Sequence, residues 1–157
     1  MRYTFFILFY FLGLLPVNSG AIDQTNTFSN ITIIHKDSVL KTNEGYIFGI
    51  MVDLKEGWKT YWKNPGDSGS KPTLTSENMQ KIKTLKILYP TPNSFMDSGI
   101  QTIGYENQVI FPVLIKFGKG IESITERLKF TYLICEKICI PVEKDFILNI
   151  NINEISA

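Results

Sequence analysis

The sequence predicts an all-β protein, an antiparallel β-sandwich of about seven or eight strands. Three observations carry that expectation. Apolar residues alternate with a period of two over several segments, turn-forming residues punctuate the chain between them, and no stretch of about ten residues has a helical period. The 157 residues suit a single domain around one hydrophobic core. Hydrophobic and charged contents of 44% and 20% are globular values. The net charge of +1 leaves no basic surplus for nucleic acid, and no charge run points to an anionic membrane.

The N-terminus stands apart from this pattern. Arg2 precedes an almost unbroken apolar run from Thr4 to Leu15, Pro16 breaks it, and Ser19-Gly20-Ala21 offers small residues to a signal peptidase. About a dozen apolar residues are short for a membrane span, which needs about 20. Residues 1–21 are therefore expected to be a cleaved signal peptide, with the folded domain over 22–157. Export would place the protein where disulfides persist, in the periplasm of a bacterial source.

The strands follow in order. Ile31 to Ile34 is a short apolar run, and Tyr46, Phe48, Ile50, Val52 and Leu54 alternate as one buried face. Lys59 to Trp62 reads as a short aromatic strand after the turn at Glu56-Gly57. Asn64 to Gly69 is loop chemistry, Ser76 to Lys81 a candidate for one or two helical turns, and Ile82 to Tyr89 another strand. Pro90 to about Gly104 reads as a long irregular stretch. Val109, Phe111, Val113, Ile115 and Phe117 alternate again, with Pro112 hinting at an edge strand or bulge. Leu128 to Ile134 and Phe146 to Ile152 complete the set.

The only two cysteines, Cys135 and Cys139, are separated by three residues at the end of a predicted strand. Four residues of extended chain span roughly 13 Å, whereas a disulfide needs Cα atoms about 4.4 to 6.8 Å apart. A bond between them therefore requires a turn at Glu136-Lys137-Ile138, the corner of a hairpin. Such a small loop contributes about 2 kcal/mol in the chain-entropy model, against nearly 5 for a loop of about 100 residues. Strand parity groups Cys135 with Lys129 and Thr131, away from Leu128, Phe130, Tyr132 and Ile134, and so predicts an accessible thiol. One histidine, His35, and two cysteines fall short of a four-ligand metal site. C-x-x-C-H and C-x-x-C are absent, which argues against haem attachment and a thioredoxin-type site. With no nucleophile motif such as G-x-S-x-G for His35 to serve as base, a hydrolase has no support. Spacing alone leaves two readings open, a reactive disulfide and a structural staple on a non-catalytic binding or adaptor module.

Three segments bear on that choice. Gly57 to Gly69, GWKTYWKNPGDSG, resembles the "GWHTYWRNPGDSG" signature of the N-terminal domain of DsbD-like and ScsB-like thiol:disulfide interchange proteins. Ile103 to Val113 is similar to their "GYEGEVLLPV" segment, and Tyr132 to Pro141, YLICEKICIP, resembles "WLVCKEVCIPGE". The resemblance implies an immunoglobulin-like sandwich whose Cys135–Cys139 pair passes electrons as part of a protein-disulfide reductase. It implies a thioredoxin-like donor fed by a membrane electron transporter, and a periplasmic disulfide protein as client. By position, Cys139 matches the cysteine that forms mixed disulfides and Cys135 the one that resolves them. No metal, organic cofactor, nucleic acid or small-molecule substrate is implied. The three-residue spacing is closer to the ScsB-like branch than to DsbD proteins with five, and electrons are expected to arrive in trans. A cap loop like that of DsbD would fall at Phe95 to Gly99, making Phe95 or Met96 candidate shields of the sulfurs. Asn64 and Asp67 are candidates to line the corner, where a carboxylate disfavours thiolate; equally, they set a turn. Trp58, Tyr61 and Trp62 are expected to pack in the core or its rim.

Overall fold

The computed structural model describes residues 27–34, 39–97 and 99–152. The expected signal peptide, His35 and Ser98 lie outside the described residues. Among the described residues, eleven strands form two antiparallel sheets and no helix occurs. The strands are β1 (Ser29–Ile34), β2 (Leu40–Lys41), β3 (Tyr46–Leu54), β4 (Lys59–Gly66), β5 (Thr73–Ser76), β6 (Ile82–Ile87), β7 (Asn93–Asp97), β8 (Ile100–Glu106), β9 (Gln108–Phe117), β10 (Ser123–Cys135) and β11 (Cys139–Asn151). One sheet runs β1-β3-β9-β6, with β2 extending the β1 edge along β3. The other runs β11-β10-β4-β8-β7, with β5 continuing the line of β4 along β10. The all-β sandwich expectation holds, with eleven strands among the described residues where about seven or eight were expected.

The alternating segments form the core because strand geometry sends every second side chain to the same face. Phe48, Ile50, Val52 and Leu54 of β3 and Val109, Phe111, Val113, Ile115 and Phe117 of β9 are buried. They meet Leu128, Phe130, Tyr132 and Ile134 of β10 and Leu148 and Ile150 of β11. Phe111 joins the sheets: its ring lies 5.3 Å from that of Tyr105 on β8, 5.9 Å from Phe130 on β10 and 6.1 Å from Tyr89. The Tyr105 and Tyr89 hydroxyls donate to the carbonyls of Pro90 (2.8 Å) and Pro72 (2.6 Å), which satisfies two polar tips in apolar surroundings.

Burial pushes the Tyr105 and Tyr89 phenols above their ordinary value of 10.0. A phenol whose folded pKa is raised contributes full stability below the unfolded value, and that stability is lost as pH rises from about 10 towards the folded value. Denaturant titrations from pH 8 to 11 should therefore show a fall in stability that is shallower in a Tyr105→Phe variant. An unchanged slope would show that Tyr105 does not ionise on unfolding in this range.

Five expectations are corrected. Ser76 to Lys81 holds no helical turn: Ser76 ends β5, and its hydroxyl and the Asn78 side chain organise the bend by bonding the N–H groups of Asn78 and Gln80. The stretch from Pro90 to Gly104 contains the β7–β8 hairpin rather than irregular chain, paired from Asn93↔Gly104 to Asp97↔Ile100. Pro112 sits in a central strand, not at an edge. Its carbonyl accepts from Leu88 N–H at 2.7 Å, so its donor-less nitrogen faces the same side, one residue past the end of β6 where no ladder bond is required. Asn64 to Gly66, expected as loop, are the last residues of β4, and Cys135, expected to be accessible, is buried.

Candidate functional site: a cross-strand disulfide at a sheet corner

The β10–β11 hairpin is the longest ladder among the described residues, thirteen residues on each side, and it ends on the pair Cys135↔Cys139. The two sulfurs are bonded, and the Cα atoms lie 4.1 Å apart. Glu136, Lys137 and Ile138 make the predicted turn, with Glu136 N–H donating to the Ile138 carbonyl at 3.1 Å. Residues opposite one another in an antiparallel pair share a face, so both cysteines point to the outer face of the sheet. The three turn residues are exposed, Ile138 to 65%.

Parity assigned the face of Cys135 correctly and its exposure wrongly. Cys135 is only 5% exposed, whereas Cys139 is exposed. Along the same face Lys129 is exposed while Thr131 and Leu133 are half-buried, so cover increases towards the hairpin end. The reason is strand order. Cys139 lies on the outermost strand of its sheet, whereas Cys135 lies one strand inward, between β11 and β4, and is paired with Lys59.

Lys59 is where the neighbouring elements converge. Its side chain is 16% exposed, its ammonium lies 4.6 Å from the centre of the Phe95 ring, and it donates to the Asp97 carboxylate. Phe95 and Asp97 both come from β7, two strands beyond β4. Phe95 pairs with Thr102 and is half-buried; Met96, one residue on, is 65% exposed. The hairpin within the expected cap region thus reaches the corner through Lys59, a residue that sequence reasoning did not single out. Nothing in the sequence shows which residue of β10 it opposes.

The GWKTYWKNPGDSG segment is largely self-supporting. Trp58 is buried and stacks on Phe28 with ring centres 4.3 Å apart. Tyr61 is buried, and the chain folds back so that Gly69 (φ 103°) lies against its ring, where a Cβ would fall 2.2 Å from a ring carbon. Trp62 is half-buried, with the Lys63 ammonium 4.7 Å from its ring centre. Asp67 bonds the β8 backbone twice: its N–H donates to the Gln101 carbonyl at 2.8 Å, and its carboxylate accepts from Gln101 N–H at 3.0 Å. Asn64 is exposed on β4 where the β4–β8 register shifts. The structure brings Asp67 to β8, and Thr60, opposite Ile134, donates its hydroxyl to the Leu133 carbonyl at 2.9 Å, locking β4 to the cysteine strand.

Residues 33–151 match the family described as "Thiol:disulfide interchange protein DsbD, N-terminal". Among solved structures, the N-terminal periplasmic domain of ScsB from Proteus mirabilis is similar, with 27% identity and a TM-score of 0.62. That match covers 83% of this chain and 49% of the ScsB chain, so the chain spans about half the length of that relative. The DsbD N-terminal domain of Neisseria meningitidis, in its reduced form, matches over 77% of this chain and 85% of its own at 12% identity and a TM-score of 0.48. No curated protein sequence matches. With the signature segments, the sandwich and the cysteine hairpin covered by one family match, the chain belongs to the family of DsbD N-terminal domains.

Proposed function

We propose that the protein is a periplasmic carrier of reducing equivalents, one component of a protein-disulfide reductase system. A thioredoxin-like donor, supplied in turn by a membrane electron transporter, reduces the Cys135–Cys139 bond, and the dithiol reduces a disulfide in a periplasmic client. The donor thiolate attacks Cys139 Sγ; a donor–Cys139 bond forms, and the electron pair of the broken bond leaves on Cys135 Sγ. The donor's second thiolate then displaces Cys139, and both sulfurs take up protons. In the second half, Cys139 thiolate attacks the client disulfide and Cys135 thiolate resolves the mixed disulfide. No metal or organic cofactor enters either half.

The observation that carries this reading is the unequal exposure of two bonded cysteines at a corner whose loop is too small for the bond to matter much to folding. An exposed Cys139 suits the sulfur that partners meet, and a covered Cys135 suits the resolving one. Ile138, next to Cys139 in the turn and 65% exposed, supplies apolar surface of the kind a protein partner covers. Phe95, held at Lys59, is the better placed of the two candidate shields, because Met96 is turned to solvent. Asp67 and Asn64 act in this reading on the shape of the β4 segment rather than on sulfur chemistry.

The test is reduction of the purified protein by a reduced thioredoxin-like domain, followed by thiol-labelling mass. Expected is a rise of two free thiols with the circular dichroism spectrum unchanged. A bond that resists the donor while the protein stays folded would sink the exchange reading and favour a structural staple.

A further inference from the structure

Each exchange half-reaction puts a negative charge on the covered sulfur. When Cys139 Sγ is attacked, the bond to Cys135 breaks and its electron pair stays on Cys135 Sγ. When Cys135 resolves a mixed disulfide, it starts from the same thiolate. Burial disfavours a thiolate, so at 5% exposure Cys135 needs a compensating charge for either step to be fast.

The charged groups on the elements around it come from five places. Lys59 on β4 is its direct cross-strand neighbour. Asp97 of β7 reaches in through Lys59. Glu106 of β8, opposite Lys59, is exposed, as are Glu136 and Lys137 in the turn, and Glu56 beside Gly57. Glu136 lies over Gly57, with a carboxylate oxygen 3.6 Å from where a Cβ would be. Only Lys59 is largely withdrawn from water, at 16% exposure against 63% for Asp97, so its charge is the least screened of the set.

We propose that Lys59 is a positioning residue for exchange: its ammonium, held over the Phe95 ring, stabilises the thiolate that Cys135 becomes whenever Cys139 is engaged. Asp97 opposes it by sharing that ammonium. The two residues therefore act with opposite signs on Cys135, although both sit in one ion pair. A purely mechanical latch, in which the pair only holds β7 in place, would make their removal act in the same direction. The inference rests on the exchange reading for its role, but the charge effect itself can be measured without any partner.

In a Cys139→Ser background Cys135 is the lone thiol, and its ionisation is read from the pH titration of its 13Cβ resonance. Adding Lys59→Met should raise the midpoint by about one pH unit, the lower end of the range for a nearby opposite charge because Asp97 offsets part of it. Lys59→Arg should hold the midpoint within a few tenths of a unit of the parent, and Asp97→Asn should lower it. In the disulfide form, Lys59→Met should slow reduction by dithiothreitol at pH 7 by roughly threefold, on a Brønsted coefficient near 0.5. A midpoint unmoved by Lys59→Met, or shifts of the same sign in Lys59→Met and Asp97→Asn, would overturn the proposal. Asp97 is well exposed, so Asp97→Asn keeps the fold and decides the sign by itself: a midpoint that does not fall is equally fatal. Failure of thioredoxin-like donors to reduce the bond would defeat the exchange reading and leave the titration result standing on its own.

Discussion

A Cys135→Ser variant offered the disulfide form of a client or of a thioredoxin-like donor should accumulate a mixed disulfide through Cys139, the displaced sulfur leaving as the partner's thiolate, whereas Cys139→Ser should yield less by a factor on the order of a hundred. The asymmetry follows from position. Cys139 is exposed on the outermost strand, and Cys135 is buried between β11 and β4, opposite Lys59. Thiolate attack needs an approach in line with the bond being broken, which the covered sulfur does not offer. Each substitution also removes the disulfide, and the small loop limits that loss to about 2 kcal/mol. Both variants should therefore unfold cooperatively, a few degrees below the parent. Trapping followed by peptide mass analysis reads the sulfur used, and equal yields from the two variants would remove the assigned roles. A double alanine variant that keeps both fold and electron transfer would remove the active-site assignment altogether.

Phe111→Ala should cost about 3–5 kcal/mol, the largest loss expected from any single side chain in the core. Phe111 is fully buried, and its ring meets Tyr89, Tyr105 and Phe130. It belongs to the sheet opposite the cysteines, so truncation opens a cavity between the layers that strands in two ladders cannot readily close. The denaturation midpoint should fall by roughly 10 °C or more. A loss near 1 kcal/mol would mean that the three neighbouring rings collapse into the space. Because β8 carries Tyr105 and also pairs with β4, the variant should loosen the β4–β8–β7 side of the corner before the β10–β11 hairpin.

The strands with one deeply buried face were legible in the sequence. In β3, β9 and β10 the apolar residue returns at every second position, so period and register follow from burial alone. β2, β5, β7 and β8 were not legible, because what makes them strands lies in their partners. Leu40-Lys41, Thr73 to Ser76 and Asn93 to Asp97 carry little alternation and are extended only because β3, β10 and β8 supply ladders for them. At the site, the cysteine pair and its turn could be read from spacing. The burial of Cys135 could not, since parity assigns a face but not what covers that face. Lys59 was missed for the same reason: its importance comes from facing Cys135 on one side and Phe95 and Asp97 on the other, and both relationships are long-range.

β11 forms the outer margin of its sheet, and that placement has a further consequence. An open margin of thirteen residues invites another chain to add a strand, yet this one carries Pro141, which lacks a donor, and the exposed charges Glu143, Lys144 and Asp145. The half of the margin nearest the hairpin turn is thereby guarded against self-association, while its first residue, Cys139, stays open at the end. A protein that must meet several partners in turn, and release each, gains from such an arrangement: contact is concentrated at a point rather than spread along a seam. Complexes formed there would be small in area and brief in lifetime, with the transient sulfur–sulfur bond setting how long they last.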